Sequence, residues 1–259
     1  MPNAPNARVA PFRRYAAPPQ QPDEDTDMKW PLSAKPLFDA LMAILFFLLM
    51  ADRHTGNVAH ECLGVALIGS LLLHTWFNRN WYTTLYKGRY NFSRSIRLML
   101  NLLLLATLVG TLASAVVISK TIFSFMGFKG ELFSRTVHIF FAHWCFVLAA
   151  VHLGLYWKRL SATIRRHAFL PYPHVPAGSW IFIRVSLAVY GAYAFLQREL
   201  SYPLTMRSAF MAWGDNDGLG LFLLDYCAVF FLCAWTASVL SRLMRNVDGH
   251  APRPMENWN

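Results

Sequence analysis

Six long apolar runs dominate this chain: Leu37–Ala51, Val58–Phe77, Leu98–Ile118, Val137–Trp157, Trp180–Phe195 and Leu219–Leu240. A helix needs about 20 apolar residues to cross the hydrocarbon core of a bilayer. Four of the runs reach that length. The first and fifth approach it by taking in the flanking Ser33–Pro36 and Leu196–Leu200. Open strands are excluded, because lipid offers no partner for an unpaired backbone group. The expected fold is therefore all-α, an integral membrane bundle of six transmembrane helices. Composition agrees: 55% of the 259 residues are hydrophobic and 15% charged, against about 45–50% and 25% in soluble domains.

The segments between the runs set an expected orientation. Of the 24 Lys and Arg residues, 17 fall in the N-terminal tail, the second and fourth connections and the C-terminal tail. Cations accumulate on the cytoplasmic side. Both termini are thus expected in the cytoplasm of a prokaryotic inner membrane. The formal charge of +10 then reports topology and not a nucleic-acid footprint. Residues 1–29, rich in Pro, Ala and Asn, lack a core-forming pattern and read as a disordered tail. Arg13-Arg14 resembles a twin-arginine pair, but no apolar stretch follows within twenty residues, so no cleaved signal is expected. Cys62, Cys145, Cys227 and Cys233 form no CxxC motif and read as small buried hydrophobes.

The histidines carry the chemistry. His54, His167, His174 and His250 fall in connections or tails. Five others lie in apolar runs, where an ionisable residue is costly and marks function by default. His60 and His74 share the second run; His138 and His152 share the fourth. Both pairs are spaced by 14 residues, within about 40° of four full turns and about 21 Å along a helix axis. Each pair therefore lies on one helix face. His143 is rotated by about 140° from His138 and points elsewhere. The two helices are separated by one other and run the same way. His60 then matches His138 in depth, and His74 matches His152. Two His–His pairs, one above the other, suit two haems with axial imidazole ligands on opposite faces of each ring. Gly64 and Gly154, each close to a histidine, are candidates to give a macrocycle room. They serve equally as small residues for helix packing. Arg135, one turn before His138, is a candidate partner for haem carboxylates at one membrane edge, with Arg79, Lys158 and Arg159 at the other.

Zinc prefers clustered ligands over groups about 21 Å apart. A proton relay would not require matched spacing. Asp225 and Arg184 are further charges within runs. Their depths differ, and Arg198 is the better-matched partner for Asp225.

Several segments resemble the flavinylation-associated cytochrome family, membrane proteins similar to cytochrome b. They are Thr55-Gly56 with His60-Glu61-Cys62-Leu63-Gly64, then Leu73-His74 with Trp81-Tyr82, then Arg135-Thr136-Val137-His138, then Val151-His152-Leu153-Gly154-Leu155-Tyr156-Trp157. The resemblance is clearest over residues 36–160. Tyr190-Gly191-Ala192-Tyr193, Arg198 and Leu223-Leu224-Asp225-Tyr226 extend it. It implies a four-helix dihaem core over residues 30–160, two further transmembrane helices over 161–245 and a tail over 246–259. It also implies electron transfer through two haem b groups to a flavinylated, FMN-binding partner outside the cytoplasm, with quinol as a candidate donor. Such a chain is an electron-transfer subunit and not a complete enzyme. Tyr156 stands where the family often has a further histidine, which leaves four ligands here. The competing expectations are an ion- or proton-coupled transporter using His60, Glu61 and Asp225, and a haem-free anchor or sensor. Against a transporter, the sequence has no internal repeat and no pair of Gly/Pro-broken runs.

Overall fold

The computed structural model describes residues 34–85, 91–167, 177–207 and 218–250. The tail expected at 1–29, with its Arg13-Arg14 pair, lies outside them. Among the described residues the chain is helical: α1 Ala34–Met50, α2 Asp52–Thr55, α3 Asn57–Phe77, α4 Asn80–Thr84, α5 Phe92–Ile118, α6 Leu132–His167, α7 Ala177–Gln197, α8 Ser201–Leu204 and α9 Leu219–His250. A 3-10 turn at Ser124–Met126 lies between α5 and α6.

Five helices, α3, α5, α6, α7 and α9, are long and apolar enough to cross a membrane. The first run forms a shorter helix of 17 residues, about 25 Å long against a hydrocarbon core of about 30 Å. Its candidate extension is partly used, since α1 begins at Ala34. Two expected boundaries move. The break at 160 falls inside α6, which continues to His167. The tail expected from 246 begins later, because α9 runs to His250.

The packing follows from where small residues permit close approach. A Cβ added to Gly154 of α6 would lie 2.1 Å from the Ala234 carbonyl oxygen of α9. One added to Gly191 of α7 would lie 2.4 Å from that of Ala228. These two glycines let α9 lie directly on α6 and α7. Gly110 of α5 likewise receives the Phe141 ring of α6. The result is a block in which α6 packs against both α5 and α9, and α9 against α7. Its main buried cluster joins Phe146, Ala194, Leu200, Phe222, Tyr226 and Val229 to Met50 and Ala51 at the end of α1.

In the α1–α3 hairpin, α1 packs on that block through Phe46 and Phe47, whereas α3 stands off from it. The two helices run antiparallel: Phe38 meets Phe77 edge to face, while Leu49 approaches Gly64. α3 packs closely on α1 and α2 but makes few close backbone approaches to α5 or α6. Outward-facing side chains of α3 and α5 are apolar, among them Leu72, Leu73, Leu102, Leu103 and Leu105, as a lipid-facing surface requires. Cys62 and Cys227 also face outward, unlike the buried Cys145. A thiol in an apolar run is as compatible with lipid as with a protein core.

Candidate functional site

Gly56 sets the start of α3. Its φ of 75° separates the short α2 from the long helix, and its carbonyl accepts the first helical hydrogen bond, from His60 N at 2.9 Å. His60 is thereby fixed one turn into α3, facing α6. Its ring lies 6.3 Å from that of His138, centroid to centroid, at 75°. A metal–imidazole bond is about 2 Å, and the ligating nitrogen sits ~1 Å from its ring centre. Two imidazoles on opposite sides of one metal thus place their centroids about 6 Å apart. The sequence-derived match in depth between these two residues is realised in space.

His60 and His138 line a cavity of about 620 Å³ between the hairpin and the block. That volume lies within the range of about 300–1,000 Å³ typical of ligand sites. The walls are largely apolar, with Leu49, Ile68, Leu108 and Leu112 among them, and Gly64 forms part of the lining. A Cβ on Gly64 would meet only Leu49, at 3.9 Å, so the missing side chain leaves cavity space open. Arg135 also lines the cavity, as does Lys120. Arg135 is exposed and brings a cation to the cavity surface.

The orientation of each imidazole is set from behind. His138 Nδ1 donates to the Thr111 carbonyl at 3.1 Å, with Ser114 Oγ at 3.2 Å. His152 Nδ1 is 3.0 Å from Asn101 Oδ1. His74 Nδ1 is 2.8 Å from Asp39 Oδ1. A carbonyl or carboxylate oxygen only accepts, so Nδ1 carries the proton in each case. Nε2 is left with its lone pair, the arrangement found in metal-bound histidines with a second partner behind the ring. His60 Nδ1 is buried without a hydrogen bond.

The second pair is brought to one level but not into ring contact. His152 lies within electrostatic reach of His74 and Asp39. Its ring is 4.7 Å from that of Tyr156. His74 Nε2 has Asn78 Nδ2 at 3.5 Å. Among the described residues, no group of three or more His, Cys, Asp or Glu side chains is placed to hold a metal ion.

Gly154 departs from the expected role. It follows His152 by two residues, about 200° around the helix, and faces the α9 backbone. Its smallness serves helix packing. His143 also points away from the pair. Its Nδ1 bonds the Ile139 carbonyl at 2.8 Å and its Nε2 is 3.4 Å from the Tyr226 hydroxyl of α9. It borders the cavity as well. At the membrane edges, Arg79 lies over Trp76 and Arg159 over Tyr156, at 5.1 and 5.7 Å.

The intramembrane carboxylates are already engaged. Asp225 pairs with Arg198, at 2.7 Å to Nη2 and 2.8 Å to Nε, and accepts from the Tyr190 hydroxyl. This is the partner that depth matching selects; Arg184 is exposed on α7. Glu61 accepts from Ser119 Oγ, the Thr121 hydroxyl, the backbone N–H of Lys120, Thr121 and Ile122, and Asn57 Nδ2. It clamps α3 to the turn that follows α5. A carrier built on His60, Glu61 and Asp225 would have to break two saturated carboxylate sites.

Sequence reasoning did not select Asp39, Asn101, Thr111 or Ser114. Asp39 and Asn101 carried a usable signal: each is a polar side chain inside an apolar run, the feature that singled out the histidines. Comparison with protein-family models, curated proteins and solved structures gives no match.

Proposed function

We propose that this chain is a membrane-bound b-type cytochrome, an electron-transfer subunit that holds two haems between α3 and α6. The observation that carries the reading is the His60–His138 pair, whose ring centroids lie 6.3 Å apart at the wall of a largely apolar cavity, close to the spacing two axial imidazoles require. The Nδ1 partners behind three of the four histidines support it. When bound, haem supplies one-electron redox chemistry. The chain's part is to present His60 and His138 at one level and His74 and His152 at the other. Apolar walls exclude water. Arg135, with Lys120 nearby, offers cations to the carboxylates of the bound group, and Gly64 leaves room for it.

The six-span topology belongs to the same proposal. Asp39 near the start of α1 bonds His74, and Leu49 near its end approaches Gly64 and lines the same cavity as His60. α1 therefore runs beside α3 from one histidine level to the other, which supports a sixth crossing with both termini cytoplasmic. Electrons would then cross the inner membrane between the levels, about 21 Å apart. They would pass to a flavinylated FMN-binding partner outside the cytoplasm, with quinol as a candidate donor, as the family resemblance implies.

The test is a reduced-minus-oxidised visible spectrum of the purified chain, with haem stoichiometry from the pyridine haemochrome. Two haem b per chain are expected. The double variant His60→Ala/His152→Ala, which takes one ligand from each level, should lose both. No b-type α-band in the parent, or both haems retained in that variant, refutes the reading.

A further inference from the structure

The turn that joins α5 to α6 carries its apolar side chains outward. Phe125, Met126, Phe128, Leu132 and Phe133 are all exposed, Phe125 to 79%. Single exposed apolar residues are ordinary, but five within nine positions mark an interaction surface. The turn is fastened at several points. Glu61 holds its first residues, the Phe123 N–H donates to Ser119 Oγ at 3.0 Å, and Ser124 Oγ donates to the Thr121 carbonyl at 2.8 Å. Gly127, at a φ of 70°, reverses the chain. The returning limb lies against the end of α5, where a Cβ on Gly130 would stand 3.0 Å from Ile118 Cα. The tip is thus displayed beside the helix ends and not on a long arm.

Depth identifies what covers it. The α6 span covers Leu132–Ala162, so Phe133 lies fourteen residues from its centre, about 21 Å along the axis. The hydrocarbon core ends about 15 Å from the midplane and the headgroup region about 20–22 Å from it. The tip therefore stands at headgroup depth, at the end of the bundle that carries the His60–His138 level. Apolar side chains there gain by seating themselves at the headgroup–acyl boundary. Lys129, exposed in the same turn, can lay its stem along that surface and keep its ammonium among the phosphates. A soluble protein would have to reach the tip through the headgroups. We infer that residues 125–133 are an interfacial anchor, with Phe125, Met126, Phe128 and Phe133 seated among the glycerol groups and first acyl carbons of the adjacent leaflet. The anchor goes beyond the cytochrome reading and does not depend on haem.

The experiment uses the full, unaltered chain in phosphatidylcholine vesicles, photolabelled with a lipid-soluble or a water-soluble aryl diazirine. Labelled positions are read by mass spectrometry of the digested chain. Residues 125–133 should take the lipid-soluble probe over the water-soluble one by at least about tenfold, as the exposed Leu102–Leu105 stretch of α5 should. The variant Phe125→Ser/Met126→Ser/Phe128→Ser should reverse that preference at the tip and leave it unchanged at Leu102–Leu105. A parent tip that takes the water-soluble probe overturns the inference. A parent tip that takes neither probe is covered by protein, a second copy or a partner, and overturns it as well. So does an unchanged preference in the folded Ser variant, because the seat would then be set by the neighbouring helices. If the variant does not fold, the parent pattern alone decides. Water-soluble label at Leu102–Leu105 refutes the membrane bundle and the anchor together. A chain that shows the lipid pattern but binds no haem leaves the anchor standing and refutes only the cytochrome reading.

Discussion

The two histidine levels come from the same two helices, yet they differ in what stands behind each ring. At the upper level, His138 leans on a backbone carbonyl and His60 has no hydrogen-bond partner for its buried Nδ1. At the lower level, His74 leans on the Asp39 carboxylate and His152 on the Asn101 amide. A carboxylate behind an imidazole raises its basicity as a ligand. A more basic axial ligand stabilises the oxidised metal, and a hydrogen bond behind that ligand is one of the levers by which a protein sets a haem potential. Equal ligand sets therefore need not give equal potentials. The lower level should hold electrons less tightly than the upper one.

The largest effect separates the levels outright. His138→Ala should remove one haem of two and leave the lower level's spectrum intact; His74→Ala should do the reverse. Loss of both bands from either single change would mean that the levels are not independent. Glu61 sharpens the contrast, because its clamp on residues 119–122 lies beside the upper level alone. Hydrogen bonds to a charged group are worth about 1.5–3 kcal/mol each. Glu61→Ala should therefore destabilise the chain by about 3 kcal/mol in thermal unfolding and deplete the upper haem first. A smaller change separates packing from cofactor space. In Gly154→Ala the added Cβ meets the α9 backbone, and overpacking of this kind costs about 1–3 kcal/mol. The melting temperature should fall with both haem bands unaltered; loss of the lower band would return Gly154 to the cofactor site. The smallest effect tests the partner behind the ring. Asp39→Asn keeps a polar partner for His74 but removes the charge. Redox titration should show the lower potential rising by tens of millivolts, on a scale of about 59 mV per tenfold, with the upper one unmoved.

What could be read from the sequence was whatever depends on position along one helix. The 14-residue spacing gave each histidine pair its face, and depth alone matched Arg198 to Asp225. Gly64, four residues from His60, shares its face and lines the cavity. Gly154, two residues from His152, does not, and proximity in sequence was the wrong measure there. Contacts that depend on how helices are rotated against one another were not accessible. Asp39 reaches His74 across an antiparallel pair, and Asn101 reaches His152 from α5. Neither partnership follows from the period of a single run. The role of Glu61 also lies beyond a single run, because its donors arrive from a turn about sixty positions away.

The space between α3 and α6 has a consequence for assembly. Where α9 meets α6 and α7 through glycine and alanine, α3 faces α6 across the cavity. A group filling that space binds the closed arrangement and has no comparable site on a splayed one. By mass action it stabilises closure by RT ln(1 + [L]/Kd). If the proposed cofactor is that group, loading and folding would be one equilibrium, with the bound group filling the space between α3 and the helices it faces. The supply of that group during synthesis, and not the sequence alone, would set how much of the chain reaches its closed form before proteases reach the open one.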